Sequence, residues 1–167
     1  MFQTIIVGID GREGGRDALA LAASLQRGLG SDLVAAHAFP YDHHLGRASD
    51  GDLETVMHGD AMQTLEGELE GAGVDARPIA VPDSSPGRAL HRVAEREDAD
   101  LIVVGSAHHG RVGRVLAGDD TAGTLHGAPC PVLVAPAGYA HSGGEAEDGR
   151  RRLRRLTRVS RGRRAGS

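Results

Sequence analysis

The 167-residue chain contains no lysine and no tryptophan, one cysteine, two tyrosines and two phenylalanines. The missing lysine excludes the P-loop, whose Lys reaches the nucleotide phosphates, and with it Walker-type ATPases and kinases. So few aromatics leave no stacking platform for a single-stranded nucleic acid. Cys130 has no second cysteine to pair with, and no apolar run approaches the roughly 20 residues of a membrane span. The N-terminus lacks a basic segment leading into a long apolar stretch. The expectation is a soluble protein of a reducing cytoplasm with no membrane partner.

Charge divides the chain in two. Residues 1–140 hold ten arginines against twenty acids, whereas residues 141–167 hold nine arginines against three acids. The first part has the size of one domain with its own core. The second contains RRRLRRLTRVSRGRR (150–164), where Leu153, Leu156 and Val159 are the only large apolar side chains. That is too little apolar surface to offset ordering, so a disordered tail is expected, with weak, salt-sensitive, sequence-blind attraction to nucleic acid.

Within 1–140, strand and helix patterns alternate. Residues 4–9 and 101–105 are apolar runs of the kind that form parallel strands covered on both faces, and 33–39 is a weaker one. Ala18, Leu21, Ala22, Leu25 and Leu29 recur at helical spacing, with Gly28 and Gly30 at the end. Leu53, Met57, Ala61, Leu65 and Leu69 do the same over 52–70. A strand at 77–81 contains Pro78, which cannot donate to a ladder and therefore belongs at an edge. Ser85 and Pro86 provide an N-cap and an N1 proline for a helix burying Ala89, Leu90, Val93 and Ala94. A short helix over about 120–126 and a strand at 131–135 complete the pattern. The expected fold is α/β: a three-layer, doubly wound, five-stranded parallel sheet of order 3-2-1-4-5. Strands one and four are then neighbours at the switch point, where ligands bind outside the carboxyl ends of the strands.

Two strands end in glycines at that place. TIIVGIDG (4–11) carries Asp10, and LIVVGSAHHGRVGRVLAG (101–118) breaks from strand into a glycine-rich loop. Such glycines permit left-handed turns and close backbone approach to a ligand, the makings of an anion cradle. Plainer roles compete. Gly105 and Gly118 also suit a turn and a helix start, and Asp10 suits an N-cap or turn former. His108 and His109 suit solvated loop positions, and Cys130 suits packing between Pro129 and Pro131. Asp42, His43 and His44 do not naturally converge on one ion. Ser106 lacks the G-x-S-x-G elbow and a base. No catalytic constellation is visible.

From Phe2 to about Pro136, the chain resembles the universal stress protein (UspA) family. TIIVGIDG, LVAAHAF, DADLIVVGSAHHG and HGAPCPVLVAP carry the resemblance, in order. The resemblance implies a Rossmann-like domain over 1–140 that binds ATP or another adenine nucleotide, with Mg²⁺ as a candidate companion ion, and acts through conformation or partner contacts, with at most slow ATP hydrolysis. It implies that Asp10 binds the ribose hydroxyls, that backbone at Ile9 and near Ala38 flanks the adenine, and that Gly105, Gly110 and Gly118 line the phosphates. It further implies a homodimer through the fifth strand, Pro131 to Ala135. ATP-binding members carry glycine, two residues, glycine, nine residues, glycine and then Ser or Thr. Counted from Gly105, this chain has His108 at the second glycine and Asp119 at the hydroxyl. Two like charges about 4 Å apart repel by roughly 1 kcal/mol in water and several-fold more in a cleft, so Asp119 opposes a bare triphosphate. A divalent cation bridging Asp119 or Asp120 to the phosphates, and positive charge from His108, His109, Arg111 and Arg114, are the candidate compensation. The alternative expectation is a dimeric stress protein with a degenerate phosphate loop. The segment after the fifth strand resembles the linker of tandem members, so the chain corresponds to the single-domain form or to the first half of a tandem one.

Overall fold

The computed structural model describes residues 2–41, 50–106, 115 and 118–142. In chain order these form β1 (Thr4–Gly8), α1 (Glu13–Leu29), β2 (Asp32–Phe39), α2 (Asp50–Ala72), β3 (Arg77–Pro82), α3 (Pro86–Arg96), β4 (Leu101–Gly105), α4 (Asp119–Leu125) and β5 (Val132–Ala135). The strands make one sheet of order β3-β2-β1-β4-β5, and every pairing is parallel. This is the doubly wound order expected from the strand and helix pattern.

Burial explains which runs became central strands. Ile5, Ile6 and Val7 on β1 and Ile102 and Val103 on β4 are wholly inaccessible. Alternate residues feed two cores. Ile5, Val7, Leu33, Ala35, Leu101 and Val103 pack under α1 and α2. Ile6, Val34, Ala36, Ile102 and Val104 pack under Ala89, Leu90, Val93 and Ala94 of α3, the four residues expected to face inward. Both cores are needed because a parallel sheet is covered on each face. Pro78 lies on β3, an edge strand, the place in a sheet where a residue without an N–H is tolerated.

Two helices are turned from the faces expected of them. On α1 the buried apolar side chains are Ala18, Leu19, Ala22 and Ala23, whereas Leu21 and Leu25 are only partly buried and Leu29 is exposed. Small residues in the contact stripe let this helix lie close to the strands. On α2, Ala61, Leu65 and Leu69 are buried, but Leu53 is 54% exposed. Residues spaced four apart drift by about 40° per step on a 3.6-residue helix, so Leu53 and Leu69 are about 160° apart. One end of such a row must leave the core.

The connections are fixed by polar contacts. Ser85 caps α3 through Arg88 N–H, and Asp83 beneath it accepts from Ser85 N–H at 2.9 Å and Arg88 Nε at 3.0 Å. Asp100 accepts from the N–H groups of Gln3 and Thr4, tying the start of β1 to that of β4. The Nε–H of Arg16 on α1 is shared between the two carboxylate oxygens of Glu68 on α2, at 3.1 and 3.0 Å. After β5, Asp17 of α1 accepts from the N–H groups of Gly138 and Ala140, each at 2.8 Å. Asp17 is only 4% exposed. No helix among the described residues is long and apolar enough to cross a membrane.

Candidate functional site

The carboxyl ends of β1 and β4 lie side by side and lead into Ile9–Asp10 and Ser106. Between them opens a cleft of about 480 Å³, bounded by the first turn of α1 and by the N-terminal ends of α3 and α4. That volume falls in the range of small-molecule sites. Of the residues singled out from sequence, Ile9, Asp10, Ala38, Gly105, Gly118 and Asp119 all line the cleft. His108 and Gly110 lie outside the described residues, as do His109, Arg111, Arg114, Asp42, His43 and His44.

Gly105 earns its place by close approach. A β-carbon there would stand 2.1 Å from the carbonyl oxygen of Gly14 and 2.7 Å from the Gly14 Cα. A β-carbon on Gly14 would in turn stand 2.9 Å from the Ser106 carbonyl oxygen. The start of α1 is thus seated on the end of β4, backbone against backbone. The left-handed conformation expected of the loop glycines is absent at both described positions: Gly118 has φ −78° and Gly105 is not among the positive-φ glycines. Gly11, at φ 73°, is where the β1–α1 turn takes that conformation.

Asp10 is exposed at the cleft mouth, and its Oδ1 accepts the Arg12 N–H at 3.0 Å. This is an Asx turn. The N-cap of α1 is Arg12, which makes no side-chain capping bond, so Asp10 is a turn former and not the cap. Its Oδ2 accepts no hydrogen bond among the described residues and remains available to a ligand hydroxyl. Gly15 guards this geometry, since a β-carbon there would lie 2.7 Å from Oδ1. Ile9 is buried, its N–H donating to the Ala36 carbonyl at 2.9 Å, and Ala38 forms the neighbouring apolar wall.

Gly118 caps α4 through its backbone: its carbonyl accepts Ala122 N–H at 2.7 Å. Asp119 and Asp120 follow in the first turn, exposed, and both line the cleft. The α4 hydroxyls are directed elsewhere. Thr121 Oγ1 donates to the Gly105 carbonyl at 2.9 Å, and Thr124 Oγ1 to the Asp120 carbonyl at 2.8 Å. Gly87 of α3 meets Gly123 of α4 at a distance that admits no β-carbon, 2.6 Å from the Gly123 carbonyl carbon. His91 Nε2 donates to the Thr124 carbonyl at 2.7 Å, locking the same two helices. Among the described residues the cleft therefore presents three carboxylates, Asp10, Asp119 and Asp120, against one guanidinium, Arg12.

Several participants escaped the sequence reading. Gly14 and Gly15 were signalled only by GREGG (11–15). His37 sits on β2 between Ala36 and Ala38, and its Nδ1 is buried without a hydrogen-bond partner. Burial pushes its pKa down, and Asp10 opposes that in part. Asp83 is held below the usual carboxylate range, chiefly by its hydrogen bond from Arg88. Burial raises the Cys130 thiol, which suits a packing role. Among the described residues no group of three or more His, Cys, Asp or Glu side chains is placed to hold a metal ion.

The universal stress protein family model matches residues 1–136. The chain belongs to the universal stress protein family. It is 29% identical over 135 residues to a universal stress protein of Thermus aquaticus, covering 80% of this chain and 98% of that one. It is also 29% identical over 145 residues to a universal stress protein of Mycobacterium tuberculosis, covering 80% and 95%. Among solved structures, a universal stress protein in complex with cAMP shares 25% identity, with a TM-score of 0.59 over 81% of this chain and 98% of that one. The UspA of Lactobacillus plantarum shares the fold at 20% identity, with a TM-score of 0.63 over 80% and 97%.

The described half-sites differ in how well they fit an adenine nucleotide. The nucleoside end fits: Ile9 and Ala38 offer apolar walls, and Asp10 has an oxygen open to vicinal hydroxyls. A polyphosphate end does not fit the described residues equally well, because carboxylates stand where the family pattern has a hydroxyl and the nearby threonine hydroxyls are spent on backbone carbonyls.

Proposed function

We propose that this universal stress protein binds an adenine nucleotide in the cleft between β1 and β4 and acts through conformation or partner contacts, not through catalysis. In this reading Asp10 Oδ2 accepts from the ribose hydroxyls and Ile9 and Ala38 flank the base. Gly105 and Gly118 let backbone approach the phosphate side. The observation that carries the reading is the convergence of Asp10, Ile9, Ala38, Gly105 and Gly118 on one cleft at the switch point of the sheet. The 25%-identical family structure in complex with cAMP supports it. Native mass spectrometry of the purified protein, followed by calorimetry with AMP and ATP, tests it. A co-purifying adenine nucleotide, or saturable binding lost in Asp10→Ala, is the expected result, and no binding of either nucleotide overturns it.

A second property is favoured by a separate observation. Leu133 on the edge strand β5 is 36% exposed, and an open apolar edge is an aggregation hazard unless paired. We assign β5 as the homodimer contact, a role that would persist even if the cleft held no nucleotide. The cytoplasm is the compartment this reading assumes.

A further inference from the structure

We infer that Asp119 and Asp120 restrict the cleft to nucleotides of low charge, so that its ligand is a nucleoside monophosphate and not a nucleoside triphosphate. This inference rests on the adenine-nucleotide reading above and names the ligand class within it.

Three observations converge. Asp119 and Asp120 occupy the first turn of α4 and both face the cleft, so a phosphate chain extending from Asp10 toward α4 runs into two carboxylates. Neither threonine hydroxyl of that helix can donate to a phosphate oxygen without leaving a carbonyl acceptor, Gly105 O for Thr121 and Asp120 O for Thr124. Arg12, the one cation among the described lining residues, follows Asp10 in the β1–α1 turn, where its backbone N–H donates to Asp10 Oδ1, and none stands on α4 beside Asp119 and Asp120. Among the described lining residues, the two carboxylates at the start of α4 thus face the cleft with no cation beside them on that helix. Each added phosphate brings further negative charge against the two carboxylates, a repulsion that salt screens because both are exposed. Without a divalent cation, affinity should fall in the order cyclic AMP and AMP, ADP, ATP.

Calorimetry of the full chain with AMP, ADP and ATP, in chelator and again in excess Mg²⁺, decides this. In chelator the wild type should bind AMP at least about tenfold more tightly than ATP. Mg²⁺ should narrow that gap. The double variant Asp119→Asn with Asp120→Asn should raise ATP affinity about tenfold while moving AMP affinity less than about threefold. A second measurement needs no variant: raising salt screens repulsion, so the AMP-to-ATP affinity ratio of the wild type should shrink with ionic strength. Equal or tighter binding of ATP in chelator, or a ratio unchanged by both the substitutions and salt, overturns the inference while leaving nucleotide binding intact. Binding of none of the three nucleotides by either protein overturns the underlying reading, and this inference with it.

Discussion

Gly105 at the end of β4 and Gly14 in the first turn of α1 touch backbone to backbone, so closely that neither position has room for a β-carbon. The cleft floor is built on this contact. Gly105→Ala must push α1 off the strand, because the obstructing atoms are main chain and cannot rotate away. Overpacking of this kind costs about 1–3 kcal/mol or more. Urea denaturation should show that loss, and a wild-type midpoint in the variant would mean the helix start yields freely.

Asp10 should separate binding from folding. It is exposed, and its described hydrogen bond is to Arg12 N–H, so Asp10→Ala should cost only about 0.5–1.5 kcal/mol of stability. Nucleotide affinity should fall by at least about tenfold, as expected when a charge-assisted hydrogen bond is removed. Gly15→Ala should reproduce part of the effect, because its methyl displaces the Asp10 carboxylate. Fluorescence titration with a labelled AMP reads both variants.

The β5 contact yields to a single charge. Leu133→Lys places an ammonium on the open edge while Val132 and Val134 keep their packing under the sheet. Light scattering at tens of micromolar should change from dimer to monomer with an unchanged circular dichroism spectrum. A wild-type monomer at that concentration refutes the assignment.

His37 should leave a mark on the pH profile of stability. Its imidazole has a lower pKa folded than in the unfolded chain, where the ordinary value is 6.5. The unfolded state therefore takes up the proton first. The contribution is complete above about pH 6.5 and declines as pH drops from there through the folded value. Subtracting the urea midpoints of His37→Gln from those of the wild type between pH 8 and pH 5 should expose this slope, whereas parallel profiles would assign the acid sensitivity to other histidines.

Asp17 should be among the costliest polar losses. Its buried carboxylate holds two N–H groups, and Asp17→Ala leaves both without their acceptor, at a cost of about 2–4 kcal/mol. Amide exchange at Gly138 and Ala140 should accelerate in that variant, and unchanged exchange would show the turn to be held by other contacts.

The strand order was legible because it depends on features a sequence displays openly: two doubly apolar runs for β1 and β4, and a proline for the β3 edge. Helix faces were less legible. On α1 the eye follows leucines, yet Ala18 and Ala22 are buried deeper than Leu21 and Leu25, since closeness to the sheet favours small side chains. The cleft residues at strand ends were found because position within a parallel sheet predicts them. Gly14 was not, since its need arises from Gly105, 91 positions away. Asp17 was equally hidden: its partners are backbone groups 121 and 123 residues distant, which carry no side-chain signature at all.

That clasp also has a mechanical meaning. β5 is four residues long and hydrogen-bonds to β4 alone, so a pull on the chain beyond it would peel the strand one bond at a time. With Gly138 and Ala140 anchored on Asp17, such a pull is delivered instead to α1, a helix of 17 residues rooted in the core. The clasp thus makes α1, and not β5 alone, the anchor of the segment that follows the sheet.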